Sequence, residues 1–189
     1  MEIIKKAGGE RSFLEESVMF LFFAFPEKQF SFTEILGFVG GSKGTLSGVV
    51  EKLIKQGFLL RKIVGKSWQV SVNLEHKFNQ TIKISHNLFL IFASGVLDLI
   101  KQKFNSKAIV LFGSYRKGDD NSESDVDIGV EVFGEQKVKI IEFAEIKKMG
   151  FRKNVRVNVH LFSRKEIADN LFSNIANGIV LDGFLEVKK

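Results

Sequence analysis

The stretch from Leu111 to Val132, LFGSYRKGDDNSESDVDIGVEV, decides the reading of this chain. It opens at the end of an apolar run, Ala108 to Phe112. It turns on Gly113 and Ser114, crosses a very polar loop and re-enters an alternating pattern at Asp125. A short apolar run bounded by a turn reads as a buried strand, and the alternating run reads as a second. Side chains at i and i+2 share a strand face. Asp125, Asp127, Gly129 and Glu131 therefore point one way, while Val126, Ile128, Val130 and Val132 point to the core.

Two aspartates on one face stand about 7 Å apart at Cα. Charges that close repel each other, and burial deepens the penalty. A hard divalent cation, Mg²⁺ or Mn²⁺, relieves it through the oxygen donors it prefers, and a nucleoside triphosphate can fill the remaining coordination positions. Gly113 ends the first strand and Ser114 sits where a short helix can start. Backbone N–H groups at such a start bind phosphate, and glycine permits close approach. Ser114 adds a hydroxyl, and Arg116 and Lys117 add positive charge nearby. A phosphate cradle opposite a metal-binding pair is a geometry for phosphoryl or nucleotidyl transfer.

The segment GSYRKGDDNSESDVD resembles the signature of the DNA polymerase β-like nucleotidyltransferase superfamily: Gly-Ser, ten residues, then Asp-x-Asp. The ten residues here are Tyr115 to Ser124, and Arg116, Gly118 and Asp119 fit the loop pattern. From about Lys107 to Gly183 the chain is most similar to the minimal members of that superfamily. The resemblance implies that Gly113, Ser114 and Arg116 hold the triphosphate of an NTP donor. It implies that Asp125 and Asp127 ligate Mg²⁺ and are the catalytic carboxylates. A nucleoside monophosphate would pass to a hydroxyl with release of pyrophosphate. Some minimal members modify a protein, so a protein is a candidate acceptor.

The chain departs from the family at one point. A third carboxylate is usual on a later strand, and the matching run here is VRVNVHLF. Val155, Val157, Val159 and Leu161 form its inner face, and Arg156, Asn158, His160 and Phe162 the other. The third-acid position falls on Asn158, whose amide cannot take a proton from a hydroxyl. Glu131 and His160 are candidate substitutes, although a lone histidine more often has a structural role.

The rest of the chain sets the context. It has 189 residues, 44% of them hydrophobic, enough for a packed core. Without cysteine it has no disulfides and no thiolate metal site. The N-terminus lacks the long apolar segment of a signal peptide, and the run from Val18 to Phe25 is too short to cross a bilayer. A soluble cytoplasmic protein without membrane association is expected. The net charge is +6, and between Ser42 and Val70 six basic residues face Glu51 alone. That local patch, with Lys43, Lys52, Arg61, Lys62 and Lys66, suggests a polyanion partner.

Ser12 and Ser31 each precede a glutamate by three residues, the capping-box spacing, and mark two helices. SKGTLSGVVEKLIKQG reads as a third helix, and FLLRKIV and WQVSVNL as a hairpin. Three short helices and a hairpin resemble the winged-helix DNA-binding domain, in which the third helix enters the major groove of duplex DNA. A long amphipathic helix is expected over Lys77 to Phe104, with Ile82, Phe89, Leu90, Ala93, Leu97 and Ile100 on its apolar stripe, which is also a candidate homodimer contact. Further on, Glu135 to Lys148 is expected as a crossover helix closed by Gly150. Ser163 with Glu166 is expected to cap another helix, before a last helix at NLFSNIANG and a terminal turn at IVLDG.

The expected architecture is thus an α/β chain of two domains. Residues 1–76 form a winged helix-turn-helix, 77–105 a linking helix, and 106–189 a small mixed-sheet nucleotidyltransferase domain. The leading functional expectation is a Mg²⁺-dependent nucleotidyltransferase fused to a DNA-binding module. The alternative is a DNA-binding transcriptional regulator whose transferase-like domain is degenerate and only binds nucleotide.

Overall fold

Ser12 and Ser31 start the first two helices in the same way. Each hydroxyl accepts the amide of the glutamate three residues on, and each glutamate returns a bond to the serine amide. Such caps contribute about 1 kcal/mol each. The computed structural model describes residues 12–65 and 67–187, which fall into two compact units, Met1–Asn79 and Gln80–Lys189. Among the described residues it is a mixed α/β structure with seven helices and two sheets.

In the first unit, α1 (Phe13–Ala24) ends before Pro26 and leads to the short strand β1 (Phe30–Ser31). Then come α2 (Phe32–Val39) and α3 (Lys43–Lys55). The hairpin strands β2 (Leu59–Val64) and β3 (Ser67–Val72) follow, and β1 adds to β3 to make an antiparallel sheet in the order β1-β3-β2. Leu21, Phe22, Ile35, Leu46, Leu53 and Leu59 fill the core. Glu15 is buried at the base of α1, where Lys52 of α3 reaches it at 2.5 Å.

In the second unit the expected long helix is two helices. α4 (Asn79–Ala93) and α5 (Val96–Lys103) meet at Ser94 and Gly95, where Gly95 takes φ 73° and breaks the backbone path. Of the expected apolar stripe, Leu90, Leu97 and Ile100 pack against the core, but its phase on α4 is otherwise wrong. Phe89 is 66% exposed, and the buried positions of α4 are Asn79, Lys83, Asn87 and Ile91, spaced by four. No single helix among the described residues is long and apolar enough to cross a membrane; the bent pair α4 and α5 passes by composition only.

The sheet has the order β6-β7-β5-β4-β8. Its strands are β4 (Ser106–Phe112), β5 (Val126–Val132), β6 (Lys139–Met149), β7 (Arg152–Phe162) and β8 (Ile179–Gly183), with α6 (Gly113–Lys117) after β4 and α7 (Asp169–Ala176) before β8. β5 and β7 are parallel and every other pair is antiparallel. From Ala108 to Phe112 β4 is apolar because both its faces are covered. Ile109 and Leu111 join Ile91, Leu97 and Ile100 in one core. Ala108, Val110 and Phe112 join Ile175 of α7 in the other.

Three further expectations are corrected. Glu135 to Lys148 contributes no helix; it carries β6, which turns at Gly150 and pairs with β7. A bulge between Glu142 and Ala144 breaks the alternation, so that Ile141, Phe143, Ala144 and Ile146 all pack against the core and the spacing imitates that of a helix. Ser163 caps no helix. Its hydroxyl accepts the Gln136 amide at 3.1 Å and donates to the Gln136 carbonyl at 3.2 Å, and α7 begins later, at Asp169. IVLDG is the edge strand β8 rather than a turn.

His86 of α4 gives this unit a pH dependence. Burial pushes its imidazole down to about 4, whereas the unfolded ring protonates near pH 6.5. The stability that depends on the neutral ring is complete above about pH 6.5 and is lost as the pH falls toward 4. His86→Gln should flatten that part of the profile, and thermal unfolding at pH 7 and pH 5 measures it. An unchanged pH 7-to-5 difference in the variant would assign the slope to other groups.

Candidate active site

β4 delivers its chain to the site through a left-handed turn. Gly113 takes φ 70°, and a Cβ there would lie 2.8 Å from Asp127 Oδ2. No other residue lets the backbone come this close to the carboxylate. Ser114 follows at the start of α6, which closes at Gly118 in the left-handed conformation.

Asp125 stands one residue before β5 and Asp127 lies within it. The parallel register sets Asp127 beside Asn158 of β7. Asn158 Nδ2 donates to Asp125 Oδ2 at 3.2 Å, and Arg156 Nε donates to Asp125 Oδ1 at 2.9 Å. His160 Nε2 and Asp127 Oδ1 are 3.2 Å apart, with the imidazole edge-on to Phe112 and its Nδ1 buried without a partner. Asp125, Asp127, Asn158, Arg156 and His160 are thus gathered on one side of the sheet with Gly113. Glu131 lies further along β5 and is buried.

Arg116 is not part of that group. It lines a cavity of about 430 Å³ with Gln80, Ile84, Lys117, Asp119 and Ile179, which includes neither member of the aspartate pair. In the first unit, Lys43 and Lys62 are exposed, whereas Lys52 is engaged by Glu15. Arg61 pairs with Glu51 at 2.5 Å and lies over the Trp68 ring. Lys66 falls outside the described residues.

The polar loop is held by residues that the sequence did not single out. Arg152 donates to the Tyr115 hydroxyl and, through Nη2, to the Ser124 carbonyl at 2.7 Å. Gln80 Nε2 donates to the Lys117 carbonyl at 2.7 Å. Asn87 Nδ2 donates to Asp120 Oδ1 at 2.7 Å and to the Tyr115 carbonyl at 3.2 Å, while Lys83 Nζ lies 3.3 Å from Asp120 Oδ2. Lys83, Asn87 and Asp120 are all buried. Burial pushes the Asp120 carboxyl up, and Lys83 and Asn87 pull it back only in part. The signal was present in α4: two polar residues, Lys83 and Asn87, at the spacing that faces a core.

Removing one member of a buried ion pair leaves an uncompensated charge. Lys83→Met should therefore destabilise the protein by about 3 kcal/mol, as read by denaturant unfolding. Adding Asp120→Leu should return part of the loss; a double variant no better than the single would deny the coupling.

The donor set bears on what cation could sit here. Among the described residues no group of three His, Cys, Asp or Glu is placed to hold a metal ion. Two carboxylates with an amide oxygen beside them are hard oxygen donors of the kind Mg²⁺ accepts, and the missing Cβ at Gly113 keeps Asp127 approachable. These residues fit a divalent ion whose other ligands arrive with the substrate.

The comparisons agree with this geometry. The family model described as "Nucleotidyltransferase domain" matches residues 93–180, from the end of α4 to the start of β8. A protein of Methanocaldococcus jannaschii that carries the name "Putative protein adenylyltransferase" is 35% identical over 69 residues, which is 36% of this chain and 68% of that protein. The Gly-Ser turn, the Asp-x-Asp strand and the sheet that joins them accordingly place this chain in the nucleotidyltransferase domain family, of the minimal DNA polymerase β-like kind.

Proposed function

We propose that the unit Gln80–Lys189 transfers a nucleoside monophosphate, from ATP as donor, to a hydroxyl of a protein acceptor. The observation that carries this reading is the placement of Asp125 and Asp127 on one side of the sheet with the Gly113 backbone against Asp127. The choice of ATP and of a protein acceptor is supported by the name of the relative. The acceptor oxygen would attack the α-phosphorus, the bond to the leaving pyrophosphate would break, and the hydroxyl proton would pass to solvent. Mg²⁺ or Mn²⁺, held by Asp125 and Asp127, would supply charge neutralisation on the triphosphate. Gly113 and Ser114 would seat the phosphates, and Asn158 would orient Asp125. Arg116 would meet the nucleotide from the neighbouring cavity. Incubation with Mg²⁺, each labelled triphosphate and cell lysate tests the reading. A labelled protein band and released pyrophosphate are expected, and no labelling with any triphosphate would reject it.

A second reading has its own observation. Asn158 stands beside Asp127 where an acid is expected, as in a degenerate domain that binds nucleotide and serves a DNA-binding regulator. In either reading the first unit, three helices and a hairpin, is similar to a winged helix and would bind duplex DNA. Its free charge is narrower than the sequence suggests, since Lys52 and Arg61 are paired within the chain. Lys43→Glu with Lys62→Glu should weaken duplex binding and lower the log–log salt slope by about two, as measured by anisotropy across a salt series. Equal binding by the double variant would assign this unit to another partner.

A further inference from the structure

Arg156 stands where a cation is needed. Its Nε donates to one oxygen of Asp125 and Asn158 Nδ2 donates to the other, so each oxygen of that carboxylate already accepts one protein hydrogen bond. The Arg156 side chain is 54% exposed and that of Asp125 only 26%. Register on β6 places Glu145 across from Arg156 and Glu142 across from Asn158. Asp125, with Glu142 and Glu123 beyond it, supplies the negative charge around this guanidinium. Among the described residues Asp127 has no such guanidinium partner, and His160 Nε2 lies 3.2 Å from its Oδ1.

A lone divalent ion that reached Asp125 would compete with the charge of Arg156 for that carboxylate and weaken the ion pair it makes there. A metal ion that arrives with a triphosphate brings a replacement partner, because guanidinium forks match phosphate oxygens as well as they match carboxylate. The side chain is long and exposed, and it can swing without disturbing the sheet. Resting on the reading of the site given above, we propose that Arg156 is an exchangeable counterion. It holds Asp125 in the nucleotide-free protein, yields that carboxylate to the metal ion of an incoming metal–nucleoside triphosphate, and then pairs with the triphosphate itself. Metal and nucleotide are thereby coupled, each binding more tightly in the presence of the other.

Arg156→Gln separates the two halves of the exchange, and calorimetry on the full chain reads both. With Mn²⁺ alone, the variant should bind about three- to tenfold more tightly than wild type, because the competing cation is gone. With Mn²⁺ and a non-hydrolysable triphosphate, it should bind the nucleotide about tenfold more weakly, because the phosphate partner is gone. Arg156→Lys, which keeps the charge without the fork, should fall between. Opposite shifts are the signature, since a residue that only supports the fold moves both affinities down. If wild type binds the metal–triphosphate and Arg156→Gln leaves the Mn²⁺ affinity unchanged or weakens both, the exchange is overturned and the site reading stands. If wild type binds no metal–triphosphate at all, the site reading falls and the exchange with it.

Discussion

Asp127→Asn is expected to lower nucleotidyl transfer by about 10³-fold or more while the protein melts no earlier than wild type. The amide is isosteric with the carboxylate, so the narrow space against Gly113 is still filled. Its oxygen can still accept from His160 Nε2, now at 3.2 Å from Asp127 Oδ1. The substitution removes the charge that would ligate the metal ion. Charge stabilisation by a bound metal is worth several kcal/mol, and each 1.36 kcal/mol is a factor of ten in rate. Loss of repulsion with Asp125 acts the other way on stability, so the melting temperature should hold or rise. Single-turnover transfer of a labelled nucleotide and calorimetry of Mg²⁺-triphosphate binding measure the two effects. Equal metal–nucleotide affinity in Asp127→Asn would remove this residue from the ligand set.

Asn158→Asp should act in the opposite direction. The β5–β7 register sets this position beside Asp127, and its side chain already reaches Asp125. A carboxylate here adds a ligand and a proton acceptor, both of which act on the transition state more than on nucleotide binding. A positioned general base contributes about 10²–10⁴-fold, and the variant should gain transfer within that range. The change also has a penalty. Asn158 now donates to Asp125, and an aspartate would turn that bond into a repulsion relieved only by Arg156. The variant should therefore melt earlier than wild type without Mg²⁺ and recover when Mg²⁺ is added. An unchanged rate in the folded, Mg²⁺-saturated variant would mean that position 158 is not the missing acid.

What the sequence showed of this molecule follows from where the relevant forces act. The capping boxes at Ser12 and Ser31, the turn at Gly113 and the shared face of Asp127 and Glu131 are local, set by neighbours a few residues away. They can be read without the fold. β6 could not, because one bulge at Glu142–Ala144 replaced alternation with a helical spacing. The break at Gly95 was hidden by apolar residues on both sides. Arg156 and Arg152 were missed for another reason. Their partners Asp125, Tyr115 and Ser124 are 28 or more residues away, and no short-range pattern marks a bond of that span. The standing of Lys83 and Asn87 on a buried face became visible only once the helix had a phase.

Arg152 ties together two points of the chain that the polar loop separates, the ring of Tyr115 and the carbonyl of Ser124. The guanidinium is itself buried, on the first residue of β7. The loop's two ends are therefore moored to the sheet, and between them the residues from Asn121 to Glu123 form a turn closed on Ser124. A residue inserted among those three would loop outward without shifting Asp125, whereas one inserted between Ser124 and Asp125 would drag the carboxylate out of line with β7. The freedom that a surface loop ordinarily surrenders when substrate arrives was surrendered here when the chain folded, so the proposed phosphate cradle would be in place before a nucleotide reached it.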